Sequence, residues 1–364
     1  MLKEALASKK CLIVCGGGGV GKTTIAASLG IAATRLRKRV LVVTIDPSKR
    51  LAEAFGFKEE SLINGGEPLL LSAEVKAKLG IAPENELSVG ILNAKYVLNQ
   101  IVEQTLTPIQ QQKLKNTVLY ANMSNMIYGL QEYTAYEWVT RMIQAGKYDF
   151  IVLDTPPAAH AKDFFNVPDK VKNLMESRVF QIFMPKKKNW FTSVMNFSWV
   201  EKLLGERIFS ESRIFFETFA TLRDRILERC EWLSRFFTQQ EVAVVAVSTV
   251  EPFAQFELQG LIAFLKQKRI PLQSVILNQV EVRQSAAQDA TLTEYQEYLS
   301  ENPVLANKIK LLHERREGLV ERAELRVENI KKNLAGQEMI VVSMTYDEDG
   351  FEILRSSSEQ IQAF

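Results

Sequence analysis

The stretch Cys11-Leu12-Ile13-Val14-Cys15-Gly16-Gly17-Gly18-Gly19-Val20-Gly21-Lys22-Thr23-Thr24 decides the fold. Cys11 to Cys15 is an apolar run of strand length, and an alanine-rich helical pattern runs from Thr24 to Leu36. Between them, Gly16-x-x-x-x-Gly21-Lys22-Thr23 has the form of a phosphate-binding loop, in the strand–loop–helix context that gives this motif its meaning. Backbone N–H groups curl around phosphate oxygens only where no side chain intrudes, which is why glycines are needed. The helix N-terminus adds its dipole. Gly17, Gly18, Gly19, Val20, Gly21, Lys22, Thr23 and Thr24 are therefore expected to bind nucleotide. Lys22, also a candidate catalytic residue, reaches the β- and γ-phosphates, and the Thr23 hydroxyl ligates metal, so the cofactors implied are ATP and Mg2+.

Outward from the loop, apolar β-branched runs recur at Val40 to Ile45, Phe150 to Leu153, Val242 to Val247, Ser274 to Leu277 and Met339 to Ser343. Such runs suit strands covered on both faces, so the fold class is α/β, a P-loop NTPase with a mostly parallel sheet flanked by helices. Ligands then sit at the carboxyl ends of the strands, where Asp46 and Asp154 follow their apolar runs. Phosphoryl transfer needs one carboxylate for the magnesium shell and a group that orients the attacking water, and two acids at strand ends supply both. Each of them alone is equally compatible with a helix cap.

Two stretches, 93–142 and 168–238, are long, rich in Met and Phe, and helical in period, and they read as an α-helical subdomain inserted in two parts. Residues 1–92, 143–167 and 239–364 then make up the nucleotide-binding domain, the last part with a long helix over 303–335. Met123, Met126, Ile127 and Leu130 share one helical face. Ile208, Phe215, Phe219, Leu222, Ile226, Cys230, Leu233 and Phe237 share another. The long helix carries Leu305, Ile309, Leu312, Leu319, Ala323, Ile330 and Leu334 on one side and charge on the other. There is no internal repeat.

Composition narrows the function classes. The 45 Lys and Arg against 43 Asp and Glu give no whole-molecule field suited to nucleic acid or an anionic membrane. Three cysteines, Cys11, Cys15 and Cys230, sit in apolar patterns and suggest a reducing compartment rather than a disulfide scaffold or a metal site. No run reaches the roughly 18 apolar residues that would span a bilayer, and a cytoplasmic location is expected.

The loop, Thr44-Ile45-Asp46-Pro47-Ser48 followed by Leu51-Ala52-Glu53-Ala54-Phe55-Gly56, then Asp154-Thr155-Pro156-Pro157-Ala158-Ala159-His160, and Leu277-Asn278-Gln279 together resemble the ArsA/Get-type ATPases. That family includes the arsenite-pump ATPase and the ATPase that delivers tail-anchored membrane proteins. The loop alone is shared with MinD, ParA and nitrogenase iron protein relatives, and the other segments narrow the choice. By position, the resemblance implies that Asp46 places the hydrolytic water, Asp154 supports Mg2+, the segment from Thr155 to His160 senses the γ-phosphate, and Asn278 reads the adenine. His160 is equally compatible with a structural role beside a turn.

The sequence departs from that family in three places. Members usually carry a lysine at the start of the loop that reaches the nucleotide of a dimer partner, and here that position is Gly17. Slow hydrolysis as a homodimer, or pairing in a heterodimer with a related ATPase that supplies the lysine, both follow from this. No cysteine lies between Asn278 and Leu299, so a zinc-clamped dimer is not expected. Met344-Thr345-Tyr346 stands where a proline-bearing adenine loop is usual.

The main functional expectation is a dimeric, ATP-driven switch whose helical insert serves a hydrophobic protein client or a membrane protein. The segment from Ile182 to Trp199, with its Met, Phe and Trp residues around Lys186 to Lys188, is the candidate contact surface. Ordinary bundle core and a solvated turn are the plainer readings of the same residues. The alternatives are a catalytically weak partner or regulatory subunit of a related ATPase, and an arsenite- or anion-transport-coupled ATPase. The scattered cysteines disfavour the latter. A positioning ATPase of the MinD or ParA kind is disfavoured by the balanced charge.

Overall fold

Val, Ile and Leu dominate the short apolar runs, and such side chains fill a pleated surface that is buried on both sides. The computed structural model describes residues 2–45, 50–57, 67–118, 120, 130–156, 162, 164–176, 206–237, 240–283, 300, 302–334, 336–343 and 349–363, and in it these runs form an eight-stranded sheet. In chain order the strands are β1 (Cys11–Gly16), β2 (Val40–Thr44), β3 (Leu69–Leu70), β4 (Leu87–Ile91), β5 (Phe150–Asp154), β6 (Val242–Ser248), β7 (Leu272–Val280) and β8 (Glu338–Ser343). They lie side by side as β3-β4-β2-β5-β1-β6-β7-β8. All neighbours are parallel except β3 with β4, which are antiparallel. Six strands match the predicted runs, whereas β3 and β4 were not among them.

The period-2 alternation of β1 divides the interior. Cys11, Ile13 and Cys15 face one core and Leu12 and Val14 the other. The second core is closed by α1 (Leu2–Ser8), α2 (Lys22–Thr34) and α12 (Gly350–Ala363), through Leu6, Ile25, Leu29, Leu354 and Ile361. α3 (Arg50–Ala54) and α4 (Ala73–Lys78) lie along the chain between β2 and β4. α2 starts at Lys22 and ends at Thr34, earlier at both ends than the predicted Thr24 to Leu36. Gly21, left-handed at φ 83, is the N-cap residue, which fixes that start.

The first core is covered by α5 (Ala94–Thr105), α6 (Pro108–Lys115), α7 (Leu130–Gln144), α8 (Val167–Glu176), α9 (Glu206–Phe236) and α10 (Pro252–Gln267). The two Met- and Phe-rich stretches thus pack, where described, in one continuous core with the sheet. Phe215, Leu222, Ile226, Cys230, Leu233 and Phe237 are buried along α9 and just past its end, as the predicted stripe requires. The side chains of Ile208, Phe219 and Leu130, and the residues Met123, Met126 and Ile127, lie outside the described ones. Tyr136 of α7 packs on Phe164 and Phe237 with ring centroids 4.3 and 5.0 Å apart, and its hydroxyl donates to the Phe164 carbonyl at 2.9 Å.

α11 (Pro303–Asn333) is the long helix, and its apolar stripe is only partly covered. Ala323 and Ile330 are buried, whereas Leu312 is 63% and Leu319 47% exposed. Val320, one position on from Leu319, is the buried residue on that turn, a correction to the predicted face. No helix among the described residues is long and apolar enough to cross a membrane.

Candidate functional site

The register of the sheet brings three strand ends together. Asp154 is aligned with Val14 of β1 and with Thr44 of β2, while Gly16 is aligned with Val247 of β6. The loop after β1 leaves the sheet at that point. A Cβ on Gly16 would lie 2.1 Å from the Val247 carbonyl oxygen, so the β6 main chain admits only glycine here. At the other end of the loop, a Cβ on Gly21 would meet the Asn278 amide nitrogen at 2.2 Å.

Between these anchors the loop is open. A Cβ on Gly18 or Gly19 would meet no atom within 4 Å. No side chain caps α2 and its first turn carries no acid, so its leading N–H groups are left for an anionic ligand. The Lys22 side chain folds back over the loop, 8% exposed, and its Nζ donates to the Gly17 carbonyl at 2.6 Å. A cation is thereby held at the mouth of a cradle of amides. The arrangement fits a nucleotide phosphate chain.

Beneath the cradle lies a hydroxyl–carboxylate pair. The Thr23 hydroxyl donates to Asp154 Oδ2 at 2.8 Å, and the Thr44 hydroxyl donates to the same oxygen at 3.1 Å. Asp154 is 1% exposed. The next residue, Thr155, ties the chain leaving β5 back to β1, its N–H and hydroxyl both donating to the Val14 carbonyl, at 3.2 and 2.8 Å. Asp46 and His160 lie outside the described residues, as does the segment from Ile182 to Trp199.

Asn278 stands under the loop. On β7, and 6% exposed, it donates one amide proton to the Val20 carbonyl at 3.0 Å, so the residue that the resemblance assigns to adenine also props the phosphate loop. Gln279 follows with φ 58, a left-handed backbone rare outside glycine, at the irregularity where β7 shifts register against β8. Three contacts were not legible from motif spacing. These are the Thr44 bond to Asp154, the Asn278 strut, and Glu257 of α10, whose Oε2 is 2.3 Å from where a Cβ on Gly17 would be. Only Thr44 gave a hint, being part of the quoted segment before Asp46.

The three cysteines do not converge. Cys11 and Cys15 are fully buried on β1, and burial pushes both thiols up to about 12. For Cys15 a hydrogen bond with Thr155 and the charge of Lys22 oppose that shift. Cys230, buried in α9, is likewise raised to about 12 by desolvation. Among the described residues no group of three or more His, Cys, Asp or Glu is placed to hold a metal ion.

With this loop, strut and carboxylate in place, comparison with known proteins decides the family. The sequence pattern of the anion-transporting ATPases matches residues 9–317. The chain belongs to that family. Its relatives include an ATPase ASNA1 homolog of Entamoeba dispar, 25% identical over 74% of this chain and 76% of the relative. ATPase get3 of Schizosaccharomyces japonicus is 31% identical over 44% of each chain. A protein named as an arsenical pump-driving ATPase in Aquifex aeolicus is 28% identical over 46% of this chain and 40% of its own length. The family is one of ATPases.

Proposed function

We propose that the chain is an ATP-driven, Mg2+-dependent switch. The observation that carries this is the 2.8 Å bond from Thr23 to Asp154 directly beneath the loop that holds Lys22. On this reading Thr23 and Asp154 hold the metal, Thr44 keeps the Asp154 carboxylate aimed, and Asn278 keeps the loop curled. Mg2+, when bound, supplies Lewis-acid polarisation of the phosphoryl oxygens. Lys22 exchanges the Gly17 carbonyl for phosphate, and Asp46 orients the attacking water. Thr155, bonded to β1 at the base of the 154–160 segment, relays the state of the site to the segment that follows.

The switch acts as a dimer, and the helices over 93–142 and 168–238 carry the surface for a hydrophobic protein client or a membrane partner. The Entamoeba and Schizosaccharomyces relatives are both named as ATPases, in keeping with a nucleotide-driven switch. A metalloid cargo is the weaker alternative, because buried, separated thiols offer arsenite no three-sulfur site.

Calorimetry with ATP and Mg2+ tests the site. Lys22→Ala removes a charge-assisted contact and is expected to weaken ATP about ten- to a hundredfold. Absence of ATP–Mg2+ binding, or unchanged protease cleavage in the 180–200 segment on adding nucleotide, overturns the switch. A second reading, a catalytically weak partner subunit of a related ATPase, is favoured by Gly17, which faces the Glu257 carboxylate instead of carrying a lysine. Turnover by the chain alone that is lost in Asp46→Asn removes this second reading.

A further inference from the structure

The carboxylate beside Gly17 gives the cradle a charge that its motif does not announce. Lys22 Nζ rests on the Gly17 carbonyl at 2.6 Å, and the lysine of such a loop serves the β- and γ-phosphates, so Gly17 marks the terminal-phosphate end of the site. A Cβ at Gly17 would lie 2.3 Å from Glu257 Oε2, so the acid stands where a side chain at position 17 would project. Its placement is built in. β6 runs against the loop at Gly16, and α10, which follows β6, presents Glu257 at the next residue along.

Among the described residues Glu257 forms no ion pair. The ammonium of Lys162 lies 3.4 Å from where a Cβ on Gly260, about one turn past Glu257 on α10, would be, and it forms no ion pair with Glu257 among the described residues. We propose that Glu257 is a specificity-determining residue of the nucleotide site, a fixed negative charge at the terminal-phosphate end of the loop that favours a nucleoside diphosphate over the triphosphate. A γ-phosphate brings its own charge toward the carboxylate, whereas a diphosphate ends one phosphate short of it. Glu257 is half-buried, so the repulsion is screened in part, and a factor of about ten in relative affinity is the scale expected.

This inference rests on the reading of the loop as a nucleotide site, and ADP binding separates the two. Affinities for ADP and for a non-hydrolysable ATP analogue, both with Mg2+, are measured by calorimetry on the full chain and on Glu257→Gln, which keeps the shape and removes the charge. The neutral variant is expected to bind the triphosphate about tenfold more tightly relative to ADP, and the difference from wild type is expected to shrink at high salt. Gly17→Ala, which drives the carboxylate aside by contact, is expected to shift the ratio in the same direction and covers the case in which Glu257→Gln does not fold. A wild-type chain that binds ADP, with a ratio unchanged in the variants, overturns the role of Glu257 and leaves the nucleotide site standing. A wild-type chain that binds neither nucleotide overturns the nucleotide reading itself.

Discussion

Buried polar groups serve opposite ends at the loop and in the helical layer. At the loop, Asp154 shares a single oxygen between two hydroxyls, at strand ends where a ligand can enter. Between α7 and α9, Glu137 is equally buried, at 1% exposure, but is surrounded by cations. Arg229 lies 2.7 Å, Arg141 3.0 Å and Arg225 3.8 Å from its carboxylate. Hydroxyls leave a carboxylate able to accept a metal, whereas guanidiniums saturate it. The first arrangement suits exchange of ligands and the second suits a clamp that joins two helices from distant parts of the chain.

The largest effect that would break this contrast is expected at the clamp. Glu137→Ala leaves the three guanidiniums facing a buried void of charge, and removal of one partner of such a network costs about 3–5 kcal/mol. Urea unfolding followed by circular dichroism measures it. A loss below about 1 kcal/mol would mean that Arg141 and Arg229, which are only partly buried, turn to solvent and that α7 and α9 are held by their apolar stripe alone.

Gly16→Ala probes the other region. Its Cβ meets a main-chain carbonyl rather than a pliable side chain, so β1 and β6 must part locally, at about 1–3 kcal/mol. Nucleotide affinity is expected to fall more than this stability loss alone implies, because the loop begins at that residue. Equal stability and unchanged affinity would show that the strand ends yield freely.

The contrast also explains what could be read from the sequence. The six apolar runs were legible because strands covered on both faces carry almost nothing else. β4 was not, since Ser88 and Gly90 interrupt it, and its burial comes from tertiary neighbours such as Trp138, whose ring a Cβ on Gly90 would meet at 2.8 Å. β3, two residues long with Leu70 55% exposed, carries no periodic signal. The loop announced itself through glycine spacing and the Lys-Thr pair. Glu257 did not, because an acid on an amphipathic helix reads as a solvated surface residue until the β6–α10 connection sets it against Gly17. Glu137 was hidden in the same way, because two of its three arginine partners, Arg225 and Arg229, lie on α9, beyond β5 and α8 in the sequence.

Thiol labelling sharpens the comparison with a smaller signal. With all three thiols buried and pushed up to about 12, none is expected to react with a disulfide reagent at pH 8 in the native protein. At rising urea, modification of Cys230 ahead of Cys11 and Cys15 would place the helical layer in a separately opening unit, and simultaneous modification would join it to the sheet in one cooperative transition.

The smallest effect belongs to the ion pair that links the starts of β2 and β5 at the foot of the sheet. Asp149, just before β5, accepts from Arg39 Nε at 3.0 Å and Nη2 at 2.8 Å and from the Arg39 backbone N–H at 2.9 Å. These bonds hold its carboxyl down at about 2, against an ordinary value of about 3.9 in an unfolded chain. A depressed pKa contributes stability above pH 4, and that contribution is lost as pH falls from about 4 through about 2. Both side chains are more than a third exposed, so solvent screening limits the pair to about 1 kcal/mol or less. Asp149→Asn is therefore expected to lower stability slightly at pH 7 and to converge with wild type near pH 2, as followed by urea midpoints across that range. A constant difference at all pH values would assign the contact to hydrogen bonding by the amide-sized group, not to its charge.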